Sequence, residues 1–136
     1  MRMPNLDRHL DSFLPYALSL FRIVLGLLFT IRGTVKLFDW PIPFAVDAPI
    51  GSFPFWWAGV IELVAGLLIL VGFVTRFAAF IASGQMAVAY FMQHQPKSLW
   101  PVENGGELPI VFCFGFFLLV FAGGGAWALD AARAKR

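Results

Sequence analysis

The stretch Leu108–Leu129, LPIVFCFGFFLLVFAGGGAWAL, runs without a single Asp, Glu, Lys or Arg. A helix that crosses a lipid bilayer needs about 20 mostly apolar residues, with a range of about 17–25. A second stretch, Phe77–Pro96, FAAFIASGQMAVAYFMQHQP, is equally free of these charges. Two further segments, about Leu14–Phe38 and about Phe53–Phe73, keep the length and apolar character while carrying charges. The resulting expectation is an all-α integral membrane four-helix bundle, a single domain over residues 1–136. Its spans lie at about 14–38, 53–73, 77–93 and 108–122.

Composition points the same way. Hydrophobic residues make up 60% of the 136-residue chain and charged residues 13%, against about 25% charged in an ordinary soluble domain. Mean hydropathy is +0.78. A soluble chain this short could not hide so much apolar surface, because small domains keep much of their surface exposed. The net charge of +2 is spread in ones and twos, apart from the tail Arg133, Lys135 and Arg136. That pattern lacks the basic stripe that nucleic acid binding requires, so nucleic acid is excluded as a partner and the tail reads as a topology signal or a contact with anionic lipid. Cys113 stands alone, which excludes an internal disulfide, a CxxC pair and a thiolate metal site. His9 and His94 lie far apart, and one His with two Glu at no recognisable spacing does not define a metal site. Cys113, flanked by Phe112 and Phe114, is expected to be an inert, apolar-surrounded thiol.

Orientation follows from Lys and Arg in the connections. Arg2, Arg8, Arg76, Arg133, Lys135 and Arg136 fall on one side of an even number of spans. The opposite loops, about Asp39–Ser52 and His94–Gly106, hold only Lys97. Both termini are therefore expected in the cytoplasm, with the chain multi-pass in the inner (plasma) membrane. The first apolar stretch is too long for a signal peptide, contains Arg22 and Arg32, and lacks a small-residue cleavage site, so it reads as a retained helix. Trp40, Trp56, Trp57 and Trp100 fall near the outer interface and Trp127 near the inner one, where amphipathic indoles prefer to sit. The short link Val74–Arg76 makes spans two and three an antiparallel hairpin. Four prolines, Pro41, Pro43, Pro49 and Pro54, make the first outer loop irregular but constrained. Gly26 and Gly33 share one helix face, and Ala79, Ser83 and Ala87 recur every four residues. Such faces let membrane helices approach closely, within one chain or in a homo-oligomer.

Charges inside a span are costly and ask for a reason. At 1.5 Å per residue, Arg32 lies about 9 Å below the outer end of span one and Glu62 about 13 Å below that of span two. Lys36 sits one turn above Arg32 on the same face. His94 and Glu107 come from the outer ends of spans three and four, with Asn104 in the loop between them. Glu107 stands at the positive end of its helix. Arg32, Lys36, Glu62, His94, Asn104 and Glu107 are thus the candidate ligand-binding or proton-carrying residues, converging as a site between bundle helices would. The competing account is a buried ion pair that only locks helices, with Lys36 snorkelling to the interface. Arg22 lies deeper on the inner side without an evident acidic partner, and reads as a cap on helix carbonyls, a lipid contact or a contact with an unplaced group.

The chain also resembles the DoxX family. The resemblance rests on Phe21-Arg22, Gly26 and Gly33-Thr34-Val35-Lys36-Leu37 in the first helix. It continues with Gly59-Val60-Ile61-Glu62-Leu63, Gly66-Leu67-Leu68, Gly72 and Thr75-Arg76 in the second. The outer loop from His94 through Trp100-Pro101 to Asn104-Gly105-Gly106-Glu107 fits, as does the closing run Gly123-Gly124-Gly125, Trp127, Leu129-Asp130. Gly124 and Ala128 stand where the family pattern leads one to expect Pro and Ser. The resemblance implies a small four-helix membrane protein related to the DoxD subunit of a thiosulfate:quinone oxidoreductase. Some family members are linked to membrane complexes that resist oxidative and thiol stress.

The function expected on these grounds is that of a membrane subunit of a redox or oxidative-stress system, binding a quinone or a small sulfur species at the outer polar cluster. The chain carries no self-contained catalytic motif, so electron transfer would need a bound quinone or a redox partner protein. A small transporter or channel subunit and a ligand-free scaffold are the alternatives. The loop-charge bias makes a direct prediction: reporter fusions after Arg76 and at the C-terminus report cytoplasm, and a fusion within Pro43–Ser52 reports the opposite side. An external C-terminus overturns the orientation.

Overall fold

The structure is a computed structural model that describes residues 4–134, so Arg2, Lys135 and Arg136 lie outside the described residues. Regular structure among the described residues is entirely helical. Helix α1 spans Pro4–Phe38, α2 Phe55–Val71 and α3 Thr75–Ala89. A wide turn at Tyr90–His94 and a tight one at Gln95–Lys97 follow α3. The short α4, Pro101–Asn104, leads into α5, Glu107–Ala122, and α6, Leu129–Ala134, closes the described chain.

Helix α1 begins ten residues before the apolar stretch predicts. Pro4 is suited to a first helical turn, where its missing N–H is not needed, and Asp7 in that turn complements the helix dipole. Polarity therefore did not end the helix. By length and composition, α1 is the one helix among the described residues that is long and apolar enough to cross a membrane. The expectation of four such helices meets two shorter apolar ones, α2 with 17 residues and α5 with 16. Helix α3 has 15 residues, and its predicted span is completed by the turns at Tyr90–Lys97 rather than by α-helix.

Close backbone approach joins α1 to α2. A Cβ on Gly33 would lie 2.6 Å from the Leu63 backbone nitrogen, and one on Gly26 would lie 2.6 Å from that of Leu70. The glycine face of α1 is therefore spent inside the chain. On α3, Ala79 is fully buried and the Ser83 hydroxyl donates to the Cys113 carbonyl of α5 at 2.8 Å. Phe29, Ile69, Met86, Phe116 and Leu119 fill the centre, with the Phe29 and Phe116 rings 4.8 Å apart. The outward faces remain apolar: Leu27, Val64, Phe80 and Phe117 are all exposed.

The end of the bundle near Gly72 and Gly124 is closed by hydrogen bonds. Gly72 ends α2 at φ 76°, a left-handed conformation natural only to glycine. Arg22, almost fully buried, donates from Nη1 to the carbonyls of Ile69 at 2.9 Å and Leu70 at 2.6 Å, and from Nε to Gly124 at 2.8 Å. Arg22 thus caps the end of α2, adding to the Gly72 N–H bond at Ile69 and meeting the Leu70 carbonyl beyond it. Arg76 does the same for α5, donating to Val120 and Phe121. Asp130 caps α3 from a distance, its two oxygens accepting from the N–H groups of Val74 and Thr75, each at 2.8 Å.

Burial pushes the Asp130 carboxyl up, but hydrogen bonds from Thr75 and Val74 and the charge of Arg133 outweigh it and hold the group below its ordinary range. A depressed folded pKa contributes stability that is present above the unfolded value and lost as pH falls through the folded one. Asp130→Ala should therefore cost about 1 kcal/mol at neutral pH, as loss of a helix cap does. The gap to the parent should start to narrow as pH falls below about 4 and keep narrowing through the lower folded pKa. Thermal melts of both proteins at pH 7 and pH 3 test this, and a difference that does not change with pH would rule it out.

Candidate functional site

Three helices bring polar side chains to one point near the loops that follow α1 and α3. Arg32 and Lys36 project from α1 one turn apart, Glu62 from α2 and Gln85 from α3. Glu62 is wholly buried. Both its oxygens accept from Lys36 Nζ, each at 2.7 Å. Gln85 Nε2 donates to Glu62 Oε1 at 3.3 Å, and Arg32 Nε lies 3.5 Å from the same oxygen. Arg32 makes no hydrogen bond among the described residues, and its Nε is buried without a partner. Its guanidinium carbon sits 5.9 Å from the centre of the Phe112 ring, a favourable distance for a cation over an aromatic face.

This cluster forms the floor of a cavity of about 510 Å³. The walls are mostly apolar, with Trp57 and Ile61 from α2 and Ile81 and Val88 from α3. The loop that follows α1 contributes Phe44, Val46 and Phe53 to the lining. Phe44 lies 5.7 Å from Lys36 Nζ and packs its ring edge-on against Phe55. His94 and Lys97 stand at the far rim.

Of the residues singled out in the sequence, the structure brings together Arg32, Lys36 and Glu62 and sets His94 on the same cavity. The strong partner of Glu62 is Lys36 rather than Arg32, so Lys36 turns inward instead of snorkelling. Asn104 and Glu107 do not line the cavity. Asn104 is buried and organises its loop: its amide donates to the Ser98 carbonyl at 2.9 Å and its oxygen accepts from Gly106 N at 2.8 Å. The Asn104 carbonyl lies 2.9 Å from His94 Nδ1, which fixes the imidazole. Glu107 is exposed at the first turn of α5. Cys113 packs against the core beside Ser83, away from the cavity lining. Gln85 was missed in the sequence. Its signal was present, since it is the one amide side chain within Phe77–Met92, and an amide at that depth needs a partner.

Fold and site define a helical protein with a charged floor under an apolar cavity, and sequence comparison supplies the family. The DoxX family model matches residues 17–95. An uncharacterized protein of Haemophilus influenzae is 40% identical over 126 residues, covering 90% of this chain and 94% of that protein. An uncharacterized membrane protein of Mycobacterium tuberculosis is 26% identical over 149 residues, covering 98% of this chain and 91% of that one. No solved structure matches. The chain belongs to the DoxX family, and the family with its named relative supports a DoxX-like membrane protein.

Removing one member of a buried ion pair typically costs about 3–5 kcal/mol, because the other charge is left without compensation. Glu62→Gln should therefore lower the melting temperature in detergent markedly. The double variant Lys36→Met/Glu62→Leu, which leaves neither charge behind, should recover much of the loss. Glu62→Gln melting like the parent would show that the pair does not hold the helices.

Proposed function

We propose that this chain is a four-span subunit of the inner (plasma) membrane, with both termini cytoplasmic, that binds a quinone at the outer cavity as part of a membrane redox or oxidative-stress system. The observation that carries this reading is the cavity itself, apolar along its walls and cationic at its floor. Ligand pockets commonly measure about 300–1,000 Å³, are lined by hydrophobic side chains, and orient the ligand with a few polar groups. A quinone head with part of its isoprenoid tail has that size and polarity. A small sulfur species would leave most of the apolar wall without contact.

Two cations face one carboxylate, so the floor holds one excess positive charge. Lys36 spends its charge on Glu62. Arg32, whose side chain is about one-third exposed and makes no hydrogen bond among the described residues, offers its guanidinium to an electron-rich oxygen. The quinone supplies the redox chemistry when bound. The chain's own residues orient the ring and shield it from water, and a partner protein delivers or removes electrons.

The membrane reading is supported by the exposed apolar faces of α1, α2, α3 and α5. Helices of 16 and 17 residues extend about 25 Å, close to the hydrocarbon thickness of about 30 Å. Exposed Trp40, Trp57 and Trp100 at one end and Trp127 at the other suit the two interfaces. A channel is less well supported. Below the cavity, Phe29, Phe112 and Phe116 pack together without exposure to solvent and close the bundle.

The test is mass spectrometry of solvent extracts from gently purified protein, followed by titration of the stripped protein with a short-chain quinone. A co-purifying quinone, together with saturable binding that Arg32→Leu weakens about tenfold, is expected. No quinone in the extract and no saturable binding would overturn the reading.

A further inference from the structure

The cavity does not lie at the centre of the bundle. Its lining comes from α1, α2, α3 and the segments that follow α1 and α3, and α5 supplies none of it. A void enclosed at the core of four helices would touch all four. On α3, Phe77, Ile81, Gly84 and Val88 recur at helical spacing and so form one stripe. The stripe begins outside the cavity, at Phe77, which is 67% exposed, and continues as cavity lining from Ile81 to Val88. On α2 the same happens: Val64 is 54% exposed and lies outside the lining, whereas Ile61 and Trp57, at the next turns of that face, belong to it. Ile81, Val88 and Trp57 are themselves exposed. Surface and cavity are therefore continuous along the seam between α2 and α3, and both stripes are apolar.

Gly84 stands within this stripe and serves no packing purpose. Glycine is, after proline, the residue that a helix interior tolerates least. Elsewhere in these helices close approach offsets that cost. A Cβ on Gly26, Gly33 or Gly66 would lie 2.6 Å from an atom of the facing helix, and one on Gly59 or Gly115 2.9 Å from a neighbouring side chain. Of the glycines inside the described helices, only Gly84 has nothing within 4 Å of that position. It lies inside α3, with no turn to make. What its missing side chain leaves is width at the edge of the cavity.

We propose that the cavity opens sideways into the bilayer along the α2–α3 seam, with Gly84 as the threshold over which the hydrocarbon tail of the bound ligand passes. This rests on the proposed quinone site and deepens it: the ligand is a membrane-dissolved amphiphile that enters head first from the lipid and keeps its tail there. Lipid chains are as apolar as the side chains of the seam, so the tail gains little from the exchange. Room at the threshold, rather than added hydrophobic surface, is what the passage requires.

The experiment uses the full-length protein in nanodiscs with Cys113→Ala, so that an introduced cysteine is the only thiol. A nitroxide is attached at Gly84→Cys and, as a control on the exposed face of α5, at Phe117→Cys. Each is titrated with decylubiquinone and with the tailless dimethoxy-methyl benzoquinone, binding being read by quenching of tryptophan fluorescence. Bound decylubiquinone should immobilise the label at position 84 and leave that at 117 mobile, and the tailless ring should immobilise neither. Overfilling a close fit weakens binding about tenfold, so Gly84→Phe should lower decylubiquinone affinity by about that factor and change that of the tailless ring little. Because any ordinary residue suits a helix better than glycine, Gly84→Phe should melt at or above the parent temperature, and Gly84→Leu replaces it under the same criterion if it does not fold. Saturable binding of decylubiquinone with the label at 84 still mobile, or with 84 and 117 responding alike, overturns the lateral opening and leaves the quinone site intact. Parent-like decylubiquinone affinity in the folded Gly84 variant overturns the role of Gly84. Failure of both rings to bind overturns the underlying quinone site instead.

Discussion

A carboxylate removed from water has to be met by positive charge and hydrogen-bond donors, because the cost of desolvating it unpaired far exceeds what packing can return. Glu62 is removed completely. Lys36 meets it with two short bonds, Gln85 with a third, and Arg32 adds a longer ion pair at 3.5 Å without a hydrogen bond. That single requirement fixes how α1, α2 and α3 are rotated about their axes. Any rotation of α2 that takes Glu62 off this point strands a charge in an apolar surround. The glycine contacts between α1 and α2 serve the same end, because Gly59 lies against the Lys36 and Leu37 side chains. A larger residue at position 59 would crowd the stem of the lysine on which the pair depends.

The two ends of the bundle solve the problem of polar groups in opposite ways. At the end near Gly72, Arg22, Ser19, Arg76 and Asp130 are spent on backbone groups: carbonyls at the ends of α2 and α5, the carbonyl of Gly124, and amides at the start of α3. The clasp is nearly saturated, with the Thr75 hydroxyl as its exception. At the opposite end the ion pair is saturated only on the Glu62–Lys36 side, and Arg32 Nε and Gln85 Oε1 are left without partners in two residues that line the cavity. An end built purely for packing would resemble the one near Gly72.

The sequence made the helices legible because apolar runs of bilayer length are rare in soluble chains, and because Gly72 and the glycines at 123–125 mark helix ends with little ambiguity. It made Arg32, Lys36 and Glu62 legible as a group because charge in an apolar run is conspicuous and helical rise gives depth directly. Identity of the tight pair was beyond it. Arg32 and Lys36 lie on one face a turn apart, and only the relative shift of α1 against α2 decides which reaches Glu62. The start of α1 was hidden because Asp7, Arg8 and Asp11 read as a solvated tail, whereas a helix can continue through such residues when its next turns are packed. Asn104 and Glu107 were grouped with the site by proximity to its outer side. Depth along the membrane normal is readable from sequence, but direction around the bundle is not, and both residues turn away from the cavity.

A packing-only role accounts for the cluster less well than a binding one. If the ion pair existed to lock helices, the economical form would be one cation and one anion, closed over by apolar side chains. Here a second cation is retained without a hydrogen bond, its side chain about one-third exposed. Apolar walls enclose the adjoining space instead of filling it, and the loop after α1 adds Phe44, Val46 and Phe53 to them. An apolar enclosure raises the strength of any hydrogen bond made inside it, because water no longer competes for the donor. Arg32 is thereby placed where a ligand oxygen gains most from meeting it. The tail attached to that oxygen would find the hydrophobic surface of α2, α3 and the loop already arranged along its path. Charge at the floor and apolar length at the wall are complementary demands, and an amphiphile with a polar ring and a hydrocarbon tail satisfies both at once.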